Sequence, residues 1–293
     1  MSEVPRAIVC VASHVARGTV GNRAAAFAAE ALGHPVWSVP TVLLPWHPGQ
    51  GPGTRMVWPS ADFAALLGDL ASAPQRAEVG GMLSGYLGEA AQAEPIASLA
   101  EALREEGALY CCDPVMGGAR GLYVPEVLAE AIREQLLPVA DIATPNRHEL
   151  EWLARRPLPD NESLVAAARS LGPERVLVTS IHAPPGRTGN LLVAQEGTWL
   201  IEHERIAAPN SGTGDLTASL FLSGLVEGMG DAAALERATS AVLGVMRKTA
   251  SDGADELPLE RARPLLDRPN EDVRAVAFAP RLIRGGVGIA GGP

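Results

Sequence analysis

The sequence predicts an α/β fold in which a mostly parallel central sheet carries helices on both faces. Short apolar runs alternate with helical runs from residue 4 to residue 181, and two alternating segments follow at 188–206. A short crossover between successive strands implies parallel pairing, because it returns the chain to the same end of the sheet. The late segments, which turn at Glu196-Gly197, predict a short antiparallel β-meander after the doubly wound part.

The elements are assigned in chain order. An apolar run at 4–12 predicts the first strand, an alanine-rich helix runs from Gly21-Asn22 to Gly33, and 35–40 predicts the second strand. The segment 40–59 is rich in Pro and Gly and is predicted to be a flap loop. The remaining pattern predicts strands at 78–83, 108–113, 139–143 and 175–181, and helices at 60–72, 89–106, 125–136, 146–155, 160–171, 215–228 and 231–250.

Composition limits the domain organisation and the class of protein. With 47% hydrophobic and 20% charged residues, the chain is expected to form one domain over 1–270, and the glycine-rich tail at 271–293 is expected to be partly loose. The formal net charge is −10 and no basic run occurs, so nucleic acid is not an expected partner. Without a long apolar run or a signal-peptide pattern, we expect a cytoplasmic protein that does not bind a membrane.

The cysteines do not indicate a disulfide or metal site. Cys10, Cys111 and Cys112 lie in apolar runs, and they form neither a disulfide framework nor a CxxC pair. We therefore expect three buried thiols.

The segment 210–215 has the strongest chemical signal in the chain. Gly212 and Gly214 allow a tight turn whose N–H groups, together with the start of the following helix, would bind an anion. A carboxylate next to such a site would repel the anion, unless Asp215 acts as a base that takes a proton from an attacking hydroxyl. A plain helix N-cap is the alternative explanation, and this segment alone leaves both open. Neither a P-loop motif nor a GxGxxG dinucleotide motif occurs elsewhere.

Six segments, in one consistent order over residues 7–250, resemble the pyridoxal kinases of the ribokinase superfamily. Each is weak alone, and the shared order makes them specific together. The matching segments are Ser13-His14-Val15 with Gly18 and Val20-Gly21-Asn22, Ser84-Gly85-Tyr86-Leu87-Gly88, Asp113-Pro114-Val115-Met116-Gly117, Tyr123-Val124-Pro125, Thr144-Pro145-Asn146 with Glu149, and Gly212-Thr213-Gly214-Asp215.

The resemblance implies a ribokinase-like fold and an ATP-dependent kinase that phosphorylates the 5′-hydroxymethyl group of a vitamin B6 vitamer. Asp215 would be the base, and Gly212, Thr213 and Gly214 would form the anion hole for the transferring phosphoryl group. Three side chains would hold the pyridine ring, namely Ser13, His47 and Tyr86.

The same resemblance implies a site for ATP and Mg²⁺. Asp113 and Glu149 would organise Mg²⁺, partly through water. A homodimer and a monovalent cation such as K⁺ are further expectations of the family. The implied ATP-binding residues are Asp113, Tyr123, Thr144, Asn146, Glu149, Thr179 and Thr213.

Ordinary structural roles compete with several of these assignments. Asp113 before Pro114 could simply end a strand in a turn. Asn146 and Glu149 could be a helix N-cap and its partner three residues later, a role that can coexist with ATP binding. Tyr86 could be a packed ring, and His47 could be an exposed loop residue.

The flap and the lid depart from the family pattern. Family members carry Asn-His-Thr in the flap, whereas this chain has Trp46-His47-Pro48 and so lacks the hydroxyl at position 48. Some relatives have a lid cysteine that is absent from 121–123, and the segment 182–187 offers only His182 and Arg187 to phosphates. These differences leave the preferred heterocycle open.

Two other functions compete with B6 phosphorylation. A hydroxymethylpyrimidine kinase of the same superfamily would use the same base with a different ring pocket. A B6-binding protein with little turnover is the alternative from another class, although a binder has no need of Asp215 as a base. An enzyme that uses pyridoxal phosphate is not expected, because Lys248 is the only lysine and lies late in an amphipathic helix.

Overall fold

A computed structural model describes residues 5–279 of the chain. The strands are β1 (Ala7–Val15), β2 (Val36–Leu44), β3 (Met56–Val57), β4 (Val79–Ser84), β5 (Leu109–Cys112), β6 (Gly117–Gly118), β7 (Gly121–Leu122), β8 (Ile142–Ala143), β9 (Arg175–Thr179), β10 (Arg187–Ala194), β11 (Thr198–Glu204) and β12 (Val276–Ala277). The α-helices are α1 (Asn22–Ala31), α2 (Ser60–Ser72), α3 (Ala93–Arg104), α4 (Glu126–Ala131), α5 (Arg147–Leu153), α6 (Asn161–Arg169), α7 (Thr213–Val226), α8 (Asp231–Asp252) and α9 (Leu259–Asp267).

The main sheet has ten strands in the order β12-β11-β10-β9-β8-β5-β4-β1-β2-β3. The six strands from β9 to β2 pair in parallel, and β10, β11 and β12 continue one edge as an antiparallel meander. The predicted fold class, a mostly parallel sheet with a late meander, is therefore confirmed. Because the parallel strands all end at one edge, the loops after β1, β4, β5, β8 and β9 meet there.

Successive residues of the central strands contribute to two different cores. Val9 and Val11 of β1 pack with α2, α3 and α4, whereas Ile8 and Cys10 pack with α1, α7, α8 and α9. Side chains of a strand alternate between its faces, so helices on both sides bury every residue of such a strand. This explains why the strands appear in the sequence as continuous apolar runs.

Several elements differ from the sequence prediction. The flap is not loop throughout, because β2 continues to Leu44 and the β3 strand pairs antiparallel with it through Val42 and Val57. The predicted helix at 125–136 has α-helical form only to Ala131 and continues as a π-helical turn. The strand predicted at 139–143 is confined to β8, because 137–139 form a 3₁₀ turn. The β6–β7 hairpin, α9 and β12 have no counterpart in the prediction.

The end of the described chain returns to the sheet. Val276 and Ala277 pair with Leu200 and Trp199 of β11, so part of the predicted tail 271–293 forms an edge strand. The rest of that tail, from residue 280, lies outside the described residues. The three cysteines are buried free thiols, as predicted. Among the helices of residues 5–279, none has the length and apolar character that a bilayer span requires.

Candidate active site

The glycine-rich turn at 210–214 ends directly at the N-terminus of α7. Gly212 has φ 92° and precedes the first helical residue, Thr213, whose N–H and hydroxyl both donate to the carbonyl of Asn210 at 3.2 and 2.9 Å. A Cβ atom on Gly212 would lie 2.0 Å from the carbonyl oxygen of Thr19. Only glycine fits here, because both the left-handed conformation and the close approach exclude a side chain. The turn leaves first-turn N–H groups of α7 without intrahelical partners, as an anion site requires.

Asp215 lies on the first turn of α7, where the loops after β1 and β4 approach it. The backbone N–H of Gly21 lies close enough to its carboxylate to favour the charged form. Gly85 is also adjacent, since a Cβ atom there would lie 3.7 Å from Asp215 Oδ1. Burial raises the pKa of Asp215 to about 6, although the backbone N–H groups of Gly21 and of Asp215 itself act in the opposite direction. The side chain is thus a carboxylate at neutral pH with the raised basicity that suits a general base.

Asp113 follows β5 and adds a second buried carboxylate to the same edge. Its N–H donates to the carbonyl of Ser84 at 2.8 Å, and its Oδ2 faces Gly214, 3.9 Å from the position of a built Cβ. Burial raises the pKa of Asp113 well above its ordinary range, and the charges of Glu149 and Asp215 raise it further. Asp113 therefore lies close enough to both Glu149 and Asp215 for their charges to act on it.

Glu149 is buried and is held by backbone groups. Its Oε1 accepts from the N–H groups of Met116 and Gly117 at 3.1 and 3.2 Å, and its Oε2 accepts from the N–H of Asn146 at 2.8 Å. Burial raises the pKa of Glu149 to about 7, although these three bonds favour its charged form.

Within residues 5–279, no three His, Cys, Asp or Glu side chains stand close enough to chelate a metal ion together.

The capping interpretation of Asn146 and Glu149 is confirmed. Asn146 Oδ1 accepts from the N–H groups of His148 and Glu149 at 2.9 and 3.1 Å, which completes a reciprocal capping box at the start of α5. Asn146 Nδ2 also donates to the carbonyl of Gly117 at 3.0 Å. The box therefore ties the β6–β7 hairpin to α5, and it leaves a further role in ATP binding open.

The three residues that were predicted to hold the pyridine ring lie near or after the ends of strands at this edge of the sheet. Ser13 is buried near the end of β1, under Gly21, and Tyr86 is half-buried after β4 with its carbonyl accepting from the Thr41 hydroxyl at 2.6 Å. His47 is half-buried in the flap, where its Nδ1 accepts from the N–H of Gly49 at 3.1 Å. This bond assigns the proton of the neutral ring to Nε2, and burial lowers the His47 pKa to favour the neutral form.

The predicted nucleotide residues follow β7, β8 and β9. Tyr123 follows the hairpin and is 59% exposed, and partial desolvation together with the charges of Glu149, Asp113 and Asp215 raises the pKa of its phenol. Thr144 is buried, with its N–H donating to the carbonyl of Cys112 at 3.1 Å. Thr179 forms a parallel bridge with Asn146.

An open cleft lies between the meander and α7–α8, and Thr179, Thr213 and Gly214 are among the residues that line it. Several polar lining residues were not predicted. The available signal was the period-two alternation of β10 and β11, which places alternate polar side chains on one face. The unpredicted polar residues are Ser180, Thr188, Asn190, His203, Arg205, Asn210, Thr217 and Thr239.

The segment 182–187 contributes less than the sequence suggests. His182 is engaged through both ring nitrogens, with Arg147 Nη1 at 3.0 Å and the carbonyl of Leu158 at 2.7 Å. Arg187 begins β10, where its Nε lies 3.5 Å from a Glu202 carboxylate oxygen. Both side chains thus have protein partners.

Comparison with known proteins identifies the family. The chain is 37% identical over 272 residues to pyridoxal kinase PdxY of Rubrobacter xylanophilus, covering 89% of this chain and 94% of that protein. It is 34% identical over 271 residues to pyridoxal kinase PdxY of Corynebacterium diphtheriae, covering 89% and 96%. The chain belongs to the pyridoxal kinase family. Residues 78–260 also match the phosphomethylpyrimidine kinase family model.

Solved structures of pyridoxal kinases have the same fold as this family member. The Leishmania donovani pyridoxal kinase, in complex with ADP and pyridoxamine, matches with a TM-score of 0.86 at 25% identity, covering 94% of this chain and all of the other. Its complex with ADP and pyridoxine matches with a TM-score of 0.85, covering 93% and 99%. The resemblance stated from the six motifs and the ribokinase-like fold are both confirmed.

The glycine requirement at position 212 is testable by paired substitutions. Gly212→Ala should lower the free energy of unfolding by roughly 2–4 kcal/mol, because strain at positive φ adds to the contact with Thr19. Gly228→Ala is the control, since Gly228 also has positive φ, 82°, but has no atom within 4 Å of a built Cβ. Urea unfolding should show the smaller loss in the control. Equal losses would contradict the close approach at Gly212.

Proposed function

We propose that this chain transfers the γ-phosphoryl group of ATP to the 5′-hydroxymethyl group of a vitamin B6 vitamer. The observation that carries the proposal is Asp215, a carboxylate of raised pKa next to the anion-binding turn 210–214. A hydroxyl nucleophile needs such a base, and a phosphoryl group needs such a turn. The relatives named pyridoxal kinase, and the Leishmania complexes with ADP and a vitamer, support the same reaction.

The proposed chemistry uses the Asp215 carboxylate and the backbone N–H groups at the start of α7. Asp215 accepts the proton of the vitamer hydroxyl as its oxygen attacks the γ-phosphorus, and the bond to the β-phosphate oxygen breaks to release ADP. The N–H groups of Gly212, Thr213 and Gly214 would receive the charge on the phosphoryl oxygens, and that of Thr213 would share its hydrogen with the Asn210 carbonyl, 3.2 Å away. In-line transfer also requires the hydroxyl to be held in place, and we assign that role to Ser13, His47 and Tyr86 around the ring.

The nucleotide is proposed to lie in this cleft, with its phosphates near Thr179, Thr213 and Gly214. Tyr123, Thr144 and Asn146 would complete this side. A Mg²⁺ ion fits the carboxylate set, because Asp113 and Glu149 provide the oxygen ligands that it prefers. Since three N–H bonds already occupy the Glu149 oxygens, Asp113 is the better direct ligand and Glu149 would act through water. Bound Mg²⁺ would neutralise charge on the phosphates. The homodimer and the K⁺ requirement remain predictions.

A hydroxymethylpyrimidine is the second candidate substrate, favoured by the family model that matches residues 78–260. Turnover with ATP and Mg²⁺ should be compared for pyridoxal, pyridoxine, pyridoxamine and hydroxymethylpyrimidine. Selective phosphorylation of a B6 vitamer is the expected result. Turnover of the pyrimidine alone would overturn the B6 assignment, and vitamer binding without turnover would indicate a binding protein.

Asp215→Asn tests the proposed base. The variant should lose at least about 10²-fold in kcat while it keeps most of its vitamer affinity, because only the proton acceptor is removed. In the unsubstituted enzyme, kcat/KM should fall as the pH drops through about 6, since protonation removes the base. Stopped assays over pH 5–8 measure both effects. Near-normal turnover of the variant, or an unchanged acid limb in its residual activity, would exclude Asp215 as the base.

Pro48→Thr tests whether the flap lacks a useful hydroxyl. Pro48 is exposed and begins the 3₁₀ turn of the flap, so Thr can be introduced without loss of core packing. The added hydroxyl should lower KM for the vitamer about two- to tenfold, the effect of one hydrogen bond. Pro48→Ala is the control, since it removes the ring without adding a donor. Equal KM values for both variants would mean that another group already fills this role.

A further inference from the structure

The flap turn that carries His47 has little packing of its own. Its 3₁₀ segment, Pro48–Gln50, contains no buried residue, and the neighbouring Trp46 is 37% exposed. The turn is closed by its own backbone bonds, from Gln50 N–H to His47 and from Gly51 N–H to Pro48 at 2.9 and 3.2 Å. Bonds within a turn fix its conformation but not its position relative to the rest of the protein. The Arg17 N–H anchors the base of the flap through the Pro45 carbonyl at 2.9 Å, and the position of the turn beyond Pro45 depends on further contacts with other segments.

Polar side chains from two distant segments provide those contacts. Gln50 Nε2 donates to Glu256 Oε1 at 2.8 Å, and Arg17 Nη1 donates to both Gln50 Oε1 at 2.9 Å and Glu256 Oε1 at 2.7 Å. Arg17 Nη2 donates to Asp255 Oδ2 at 2.7 Å. Arg17 lies in the loop after β1, and Asp255 and Glu256 lie between α8 and α9. We call the set Arg17, Gln50 and Glu256 the flap latch.

The latch continues into the anion-binding turn. Glu256 Oε2 lies 3.3 Å from the position of a Cβ on Gly18, next to Thr19. The Thr19 hydroxyl donates to the carbonyl of Leu257 at 3.1 Å, and the Thr19 carbonyl is the group that abuts Gly212. Leu257 Cδ1 also lies 3.4 Å from the built Cβ of Gly212. One short segment, 256–257, thus contacts both the flap side and the phosphoryl side of the site.

We infer that Glu256 is a positioning residue that holds the flap turn over the substrate ring, through Gln50 and Arg17, in register with the anion-binding turn. This inference rests on the proposed function. Glu256 is the central member because its side chain is 20% exposed, whereas Arg17 and Asp255 are 56% and 73% exposed. Charge pairs in contact with solvent contribute little, and shielded charge-assisted bonds contribute more. Asp255 therefore supports Arg17 but does not hold the flap.

Glu256→Gln tests the role, because it keeps the shape of the side chain and removes its charge. KM for the vitamer should rise about five- to tenfold, while kcat and KM for ATP stay within about twofold, since the flap covers the ring and not the nucleotide cleft. Asp255→Asn is the matched control, the same chemical change at the neighbouring position. It should leave all three constants within about twofold of the unsubstituted enzyme.

Hydrogen exchange of the flap amides separates this inference from the proposed function. Without ligand, the amides of Gln50 and Gly51 should exchange about fivefold faster in Glu256→Gln and at the original rate in Asp255→Asn. If the unsubstituted enzyme phosphorylates no vitamer, the proposed function fails. The exchange rates alone then test whether Glu256 holds the flap turn in position. Unchanged exchange in Glu256→Gln, or equal changes in both variants, would overturn the inference. An equal loss of kcat and ATP affinity would overturn it as well.

Discussion

The contact between the backbone of Gly212 and the carbonyl of Thr19 is the constraint on which the site depends. It brings the loop after the first strand against the start of α7, although almost 200 residues separate them. Gly21 then lies within reach of the Asp215 carboxylate, and Ser13 packs beneath Gly21. A side chain at position 212 would separate these groups, so the residues proposed as base, as anion-binding turn and as ring-binding side chains share one geometric condition.

Desolvation of buried carboxylates is the main energetic cost of this arrangement. Asp113, Glu149 and Asp215 are all desolvated, and Asp113 is further affected by its two neighbours. The backbone compensates for part of the cost, with three N–H groups on Glu149 and two that favour the charged form of Asp215. A carboxylate whose charged form is destabilised by burial is stabilised most when a cation binds to it. Under the proposed function, the buried carboxylates that cost folding energy would gain from a bound Mg²⁺ ion.

Local patterns in the sequence predicted most of the fold, and contacts between distant residues account for what it missed. The helix at 60–72 was assigned with its observed bounds, because its apolar residues and its ends are local signals. The helix α9 was missed although Leu259, Ala262 and Leu266 repeat on one face, since Pro264 within it is typical of a break. The motif residues could be found from their order along the chain. The contact of Gln50 with Glu256 joins residues 206 apart, and no local pattern encodes it.

The buried thiols have a consequence for how the opening of this molecule can be followed. Cys10 and Cys112 lie on β1 and β5, and Cys111 faces the opposite core from Cys112. Burial raises the pKa of both Cys10 and Cys112 to about 12, so the reactive thiolate is scarce while the sheet is intact. An alkylating reagent reaches these sulfurs only when the central strands separate from their helices. The chain thus carries at least one native thiol on each face of the sheet. The rate at which each thiol is alkylated would report how readily the core on that face opens.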